Sequence, residues 1–318
     1  MKTIKFLLLS FAISSSSIAG EKKQTTADHL QNVSVTIRAE AAFSAGEGSG
    51  VIFTRKDAKG NLVNFVWTAA HVVDNLRSER KVLRDGRPLT IVEFKDPVII
   101  KEIRQNGRTV GRLQMDAEVL KYSESEKGHD LALLRIRKFN FVTDSVIFYL
   151  DKEIPSLGTD LLHVGSLLGQ MGANSMTDGI YSQHGRILKS LNKHIFDQTT
   201  CTAFPGSSGG GVFLKHGVKD DARVRYVGML VRGAGEGFNL IVPVRRMVEY
   251  CEKNKIMWAL DANVKMPGED DLKKMPVENT PKEKEEAEDI DKEATKKMFP
   301  FMLRVTYPKL LIIKEKKQ

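Results

Sequence analysis

Along the middle of the chain, short runs rich in β-branched and aromatic residues recur between turn-forming groups. They occupy residues 33–37, 50–53, 62–67, 98–103, 131–136, 211–214, 226–231 and 240–244. Runs of roughly four to eight such residues, bounded by glycine, asparagine and aspartate, have the length and composition of strands. The separators are turn chemistry. Asp57-Ala58-Lys59-Gly60-Asn61 and Arg84-Asp85-Gly86 place short polar side chains and glycines where the chain must reverse. One helical pattern stands out, over 244–255, with Val244, Met247, Val248 and Cys251 on one face. No internal repeat is visible. Residues 30–260 therefore predict an all-β sandwich or barrel with few helices.

The two ends read differently. Lys2 and Lys5 precede a short apolar run over 6–13, and Ser17-Ile18-Ala19 follows as a small-x-small cleavage site. That order predicts a signal peptide over 1–19 and an exported protein, periplasmic or secreted. The apolar run is well short of the ~20 residues that span a bilayer, so no stable membrane insertion is expected. After Ala262 the composition shifts to prolines and mixed charges, without an aromatic from Met266 to Lys297. A segment of that kind buries too little apolar surface to offset its ordering entropy, so 262–298 is expected to be a charged linker without packed structure. Apolar residues return over 299–318, with Phe299, Phe301, Leu303, Val305 and Tyr307. That stretch reads as a strand that docks on the domain or on a partner.

Composition narrows the classes. The chain has 318 residues, 41% hydrophobic and 28% charged, enough to bury a core in one large or two modest domains. Its net charge of +9 is carried by no dense basic block, and aromatics are 7%. A nucleic-acid binder gathers its cations on one patch, so no nucleic-acid partner is expected. Two cysteines, Cys201 and Cys251, exclude a disulfide-dense scaffold and a cysteine-rich zinc framework. They are compatible with one bridge in an oxidising compartment or with two buried free thiols. No H-E-x-x-H is present, and neither a metal nor a cofactor is expected.

Three segments carry residue types suited to chemistry. In Trp67-Thr68-Ala69-Ala70-His71-Val72-Val73 a histidine follows small residues at a strand end, where the backbone can turn tightly and leave the imidazole facing a cleft. In His129-Asp130-Leu131-Ala132-Leu133 an aspartate opens an apolar strand. Its carboxylate can accept from a histidine ring N–H, fix the tautomer and stabilise the imidazolium. In Pro205-Gly206-Ser207-Ser208-Gly209-Gly210-Gly211 a serine sits among glycines that permit unusual dihedrals and close approach. The backbone N–H groups of Gly206 and Ser208 can there converge into an oxyanion hole. Taken singly, each segment has an ordinary reading: a core or surface histidine, a turn aspartate, a flexible loop.

Taken together, the order His71, Asp130, Ser208 in these contexts resembles the chymotrypsin-like (trypsin-like) serine protease superfamily, closest to its bacterial HtrA/Deg-like branch. Gly48-Ser49-Gly50-Val51-Ile52-Phe53 resembles the glycine-rich strand that precedes the histidine. Thr68-Ala69-Ala70-His71, Asp130-Leu131-Ala132-Leu133 and Gly206-Ser207-Ser208-Gly209-Gly210 resemble the three catalytic motifs, the last of form G-x-S-G-G. The likeness spans residues 30–260. It implies two orthogonal six-stranded β-barrels with the triad between them, closed by a C-terminal helix. It implies a serine endopeptidase acting on polypeptides through an acyl-enzyme. His71 would be base and acid, Asp130 its orienter, Ser208 the nucleophile, with Gly206 and Ser208 as oxyanion donors. Thr202 would lie at the base of the specificity pocket with Gly233 and Asn239 on its walls. The strand over 227–233, including Val231, would pair with substrate. A neutral floor argues against lysine or arginine, whose buried charge would lack a partner, and favours small or medium apolar side chains.

This chain also departs from the pattern. Ser207 replaces the aspartate that pairs with a newly cut N-terminus in trypsin-type enzymes. Residues 262–318 are too few and too charged for a PDZ domain. Val231 stands where a serine often supports the triad aspartate. The insert with Arg77, Arg80, Lys81, Arg84 and Arg87 reads as a cover for the cleft, a partner dock or a solvated hairpin. The alternative function is a non-catalytic peptide-binding or chaperone-like module that keeps the protease fold. An α/β-hydrolase would need the serine first in the chain, which is not the order here. The oligomeric state is left open.

Overall fold

The computed structural model describes residues 24–84, 87–105, 107–188, 194–217, 223–233 and 235–278. The signal peptide read over 1–19, the linker beyond 278 and the apolar segment over 299–318 lie outside the described residues. A short helix, α1 (Thr26–Asn32), opens the fold. Thr25 caps it: its hydroxyl accepts from the Asp28 N–H while the Asp28 carboxylate accepts from the Thr25 N–H.

The first barrel follows. It uses β1 (Ser34–Glu40), β2 (Ala45–Lys56) and β3 (Leu62–Thr68), then α2 (Ala70–Val73), a single helical turn. Strands β4 (Arg77–Arg84) and β5 (Arg87–Phe94) pair only with each other. Strands β6 (Val98–Gln105), β7 (Arg108–Ser123) and β8 (Leu131–Ile136) close the barrel in the order β1-β2-β3-β8-β7-β6. The second barrel takes β9 (Asp160–Leu167), β10 (Gly172–Ile187), β11 (Ile195–Thr199), β12 (Gly211–Leu214), β13 (Tyr226–Gly233) and β14 (Asn239–Pro243). Its closed order is β10-β11-β14-β13-β12-β9. Helix α3 (Val244–Lys253) and the short α4 (Glu269–Lys274) complete the described chain. This is the expected all-β class with two closed six-stranded barrels and a C-terminal helix. Each of the eight predicted runs falls on a strand.

Packing explains why these segments hold. Phe53 of β2 stacks on Phe65 of β3 with ring centroids 5.2 Å apart, and Trp258, beyond α3, closes on Phe65 at 4.9 Å. Rings of this size at such offsets add stability beyond area burial, on the order of 1 kcal/mol per pair. The Trp258 carbonyl accepts from Arg55 Nε at 2.8 Å, so the segment after α3 is pinned to the first barrel by a polar as well as an apolar contact.

One expectation is corrected. Residues 262–278 are not the start of an unpacked linker. Leu272 of α4 is buried, and Met266, Met275 and Val277 pack against the core. Backbone and ion pairs do the rest. The Tyr122 N–H donates to Val277 O at 2.9 Å, the buried Lys121 ammonium to Pro276 O at 2.7 Å, and Arg135 and Arg77 pair with Glu269 and Glu278. The insert is a two-stranded hairpin in which Arg80 reaches Glu93 at 2.8 Å and Arg77 reaches Glu79 at 2.6 Å. Among the described residues, no helix is long and apolar enough to cross a membrane.

Candidate active site

Strand β3 ends at Thr68, whose hydroxyl donates to Ser49 O at 2.8 Å. Ala69 and Ala70 are fully buried, and their small side chains let the chain turn at once into α2. His71 follows with its side chain 31% exposed. Asp130 is wholly buried and holds a left-handed backbone, φ +54°. A non-glycine residue in that region costs on the order of 1 kcal/mol or more, so its surroundings must enforce it. They do: the Asp130 N–H donates to Glu124 O at 3.1 Å, and the preceding His129 N–H to Ser123 Oγ at 2.8 Å.

Geometry joins the two side chains. His71 Nδ1 lies 3.0 Å from both Asp130 carboxylate oxygens, and the His71 backbone N–H also donates to Oδ1 at 3.2 Å. An ionised carboxylate only accepts, so Nδ1 carries the proton and Nε2 is left as an acceptor. Val231, on β13, is buried in the core and offers no hydroxyl to Asp130. A cation stands near instead. Arg246 of α3 is buried, donates to His129 O at 2.7 Å and to Ile195 O at 3.1 Å, and lies 4.5 Å over the Phe196 ring. Burial lowers its pKa to about 10, opposed by the negative charges of Asp130 and Glu249. Sequence reasoning misses this residue, because an arginine between apolar helix positions looks like a solvated one.

The serine loop belongs to the second barrel but docks on the first. Ser208 O accepts the Ser49 N–H at 2.7 Å, and a side chain at Gly209 would collide with Thr68, three positions before His71. Ser208 is half-buried, and its hydroxyl makes no hydrogen bond among the described residues. Ser207 is buried, and its Oγ accepts from the Phe204 N–H at 3.1 Å, which closes the turn from within. Gly206 has φ +93°, and a Cβ there would run into Ser166 O, so only glycine fits.

Ser207 N–H donates to Phe204 O, Gly209 N–H to Leu230 O and Gly210 N–H to Ser207 O. The N–H groups of Gly206 and Ser208 have no acceptor among the described residues. Backbone N–H groups without a protein acceptor are available to donate to water or to a bound group.

The other predicted positions divide. Gly233 and Asn239 face each other across β13 and β14, and Asn239 Nδ2 donates to Cys201 O at 2.8 Å. A side chain at Gly233 would strike Asn239 Oδ1. Thr202, the next residue after Cys201, is exposed, and its carbonyl accepts from Thr177 Oγ1 at 2.8 Å. Cys201 and Cys251 are two buried free thiols. Burial pushes the Cys201 thiol up to about 11, opposed by a hydrogen bond with Thr199.

Residues 48–218, more than half of the chain, match the model of the trypsin-like peptidase domain, and the chain belongs to that family. A search of curated proteins finds no match. Among solved structures it is similar to the HtrA-type protease AlgW with tripeptide (TM-score 0.50, 18% identity, 74% of this chain and 64% of that one). It is also similar to the serine endoprotease from Yersinia pestis (TM-score 0.49, 20% identity, 72% and 64%) and to Deg5 (TM-score 0.48, 18% identity, 74% and 94%). The chain thus spans less than two thirds of the length of the AlgW and Yersinia pestis chains.

Proposed function

We propose that this chain is an exported serine endopeptidase whose triad is His71, Asp130 and Ser208. The observation that carries the reading is the imidazole of His71 held through Nδ1 by the buried Asp130 carboxylate, which leaves Nε2 as its acceptor. In the first half-reaction Nε2 takes the Ser208 proton as Oγ attacks the scissile carbonyl. The resulting oxyanion enters between the Gly206 and Ser208 N–H groups, which need no reorganisation to receive it. The imidazolium, stabilised by Asp130, returns its proton to the leaving amine, and water repeats the cycle on the acyl-enzyme. Hydroxyl–imidazole bonds absent from a free enzyme commonly form when substrate arrives, which fits the unengaged Ser208 hydroxyl.

The remaining parts of the reading rest on sequence. The leader over 1–19 supports export, and mature protein from the exporting cell should begin at Gly20. The uncharged side chains of Thr202 and Asn239, with Gly233, support cleavage after small or medium apolar residues, which a peptide-library profile would report.

The direct test is labelling with a fluorophosphonate and mapping of the adduct by mass spectrometry. Labelling should fall on Ser208, and Ser208→Ala should lower kcat on casein by roughly 10⁴–10⁶. An unlabelled serine in folded protein would favour the non-catalytic peptide-binding module.

A further inference from the structure

Ser49, at the middle of β2, is wholly buried in a position no part of the chemistry above uses. Its hydroxyl has one proton and lone pairs to accept with, and both capacities are committed. The Oγ donates to Gly206 O at 2.7 Å and accepts the Ser166 N–H at 2.7 Å. Its backbone N–H meanwhile donates to Ser208 O at 2.7 Å. One residue of the first barrel therefore grips two carbonyls of the serine loop, on either side of Ser207, and ties them to β9 of the second barrel.

The consequence follows from peptide planarity. In a trans peptide the N–H points opposite to the C=O, so whatever holds one aims the other. The Gly206 N–H shares a peptide with Pro205 O, which accepts the Leu168 N–H at 2.7 Å. The Ser208 N–H shares a peptide with Ser207 O, which accepts the Gly210 N–H at 2.9 Å. Between these two lies the Gly206–Ser207 peptide. A glycine at φ +93° rotates at little steric cost, so that peptide is the soft joint of the loop. Ser49 Oγ holds it. Among the described residues, the other carbonyls of the turn from Phe204 to Gly210 that accept a bond do so from backbone N–H groups. Among the described residues, Ser49 is thus the one side chain whose removal loosens this peptide, leaving the Ser207 N–H bond to Phe204 O as its remaining hold.

We infer that Ser49 is a positioning residue for the oxyanion site: it fixes Gly206 so that both free amides point at the oxygen that becomes charged. The inference rests on the proposed endopeptidase reading. It predicts a defect in the transition state and not in ground-state binding, because substrate does not touch Ser49. Removing an oxyanion donor outright costs about 10²–10³ in kcat, so loosening one should cost roughly ten- to a hundredfold.

The experiment measures casein digestion against substrate concentration, and fluorophosphonate labelling, for wild type, Ser49→Ala, Ser49→Thr and Ser49→Cys, with thermal melts of each. Expected is a roughly ten- to hundredfold fall in kcat for Ser49→Ala with KM within about twofold, and recovery to within a few fold in Ser49→Thr, which keeps the hydroxyl. Should Ser49→Ala not fold, Ser49→Cys, with its weak donor, is read in its place. Wild-type protein labelled at Ser208 beside a folded variant of undiminished kcat overturns the inference alone. So does a rise in KM with kcat intact. Wild-type protein that is folded and unlabelled overturns the endopeptidase reading, and this inference with it.

Discussion

The two barrels divide their apolar interior unequally. In the first, β8 is buried along its whole length and Phe53, Phe65, Trp67 and Trp258 pack together, with the polar Ser49, Asn64 and Thr68 buried on the same strands. In the second, His163, Ser166, Asp197, Thr199 and Asn239 are buried; Phe196, Phe213 and Met229 join the large apolar cluster, while Leu161, Val212, Leu230 and Ile241 form a smaller separate one. The candidate site draws a different kind of part from each. The first barrel supplies side chains, His71 and Asp130, and a side chain is aimed by packing around its root. The second supplies the Ser208 hydroxyl and, with it, backbone amides, and an amide is aimed by the bonds of its own peptide. Aiming amides in this way calls for a polar interior, because each buried polar atom needs a partner and those partners set the orientation of the loop.

The largest effect should come from breaking the side-chain half. Asp130→Asn keeps the shape but presents an amide N–H₂ to His71 Nδ1, which favours the wrong tautomer. It should lower kcat on casein by about 10⁴ with the melting temperature little changed. Activity within tenfold of wild type would mean that packing, not the carboxylate, aims the imidazole, and the contrast between the barrels would lose its first term.

Breaking the polar interior should cost stability instead. Asp197 is wholly buried and accepts from both Arg245 guanidinium nitrogens at 2.5 Å, from the Gly185 N–H at 2.8 Å and from the Tyr181 hydroxyl. Removing one member of such a network leaves a charge and a phenol without partners. Asp197→Ala should therefore lose about 3–5 kcal/mol in denaturant unfolding. Arg245 is 29% exposed and can turn partly toward water, so the lower end is expected. A loss below about 1 kcal/mol would show the second barrel to be held by its small apolar cluster after all.

How much of this is legible in the chain alone depends on what each strand turns inward. Strands with apolar inward faces announce themselves in both barrels, because they write β-branched and aromatic runs into the chain: residues 62–67 and 131–136 match β3 and β8 almost to the residue, and β12, β13 and β14 coincide with predicted runs as well. Besides the hairpin β4–β5, strands β7, β9, β10 and β11 lie outside the predicted runs. The first half of β7 is mostly exposed, the segments Asp160–Leu167, Gly172–Ile187 and Ile195–Thr199 bury His163, Asn174, Asp197 and Gln198, and β10 shifts register against both neighbours. No hydropathy period survives that. The motif residues of the candidate site are readable, since nucleophile, base and orienter each need a particular side chain beside small neighbours. Ser49 and Arg246 do not announce themselves as contributors. Their importance lies in which carbonyl each one meets, a relation between distant segments. The boundary at 262 errs for the same reason: composition sees the charges of 262–278 but not the carbonyls of Pro276 and Val277 that β7 holds.

The smallest of these effects probes the polar interior through pH. The His163 ring is completely enclosed. Its Nδ1 donates to Gly211 O at 3.0 Å, and its Nε2 has no partner among the described residues. Burial lowers its pKa to about 4, opposed by the Gly211 bond. An unfolded chain binds this proton near 6.5. Between about pH 6.5 and 4, unfolding therefore takes up a proton, and stability rises with pH across that window. The contribution of His163 is complete above 6.5 and is lost as the pH falls toward 4, by at most about 3 kcal/mol. His194, whose pKa burial lowers to about 4 with Arg246 and Lys253 adding to the effect, acts in the same direction. His163→Asn places an amide where Nδ1 stood and cannot titrate. Whatever its baseline stability, its unfolding free energy should climb less steeply from pH 4 to 6.5, by up to about 1.4 kcal/mol per pH unit. Equal slopes for variant and wild type in urea titrations would mean that His163 takes up its proton without unfolding. The second barrel would then admit a charge where its structure leaves Nε2 dry, and its loop amides would rest on a softer support than the first barrel gives to His71.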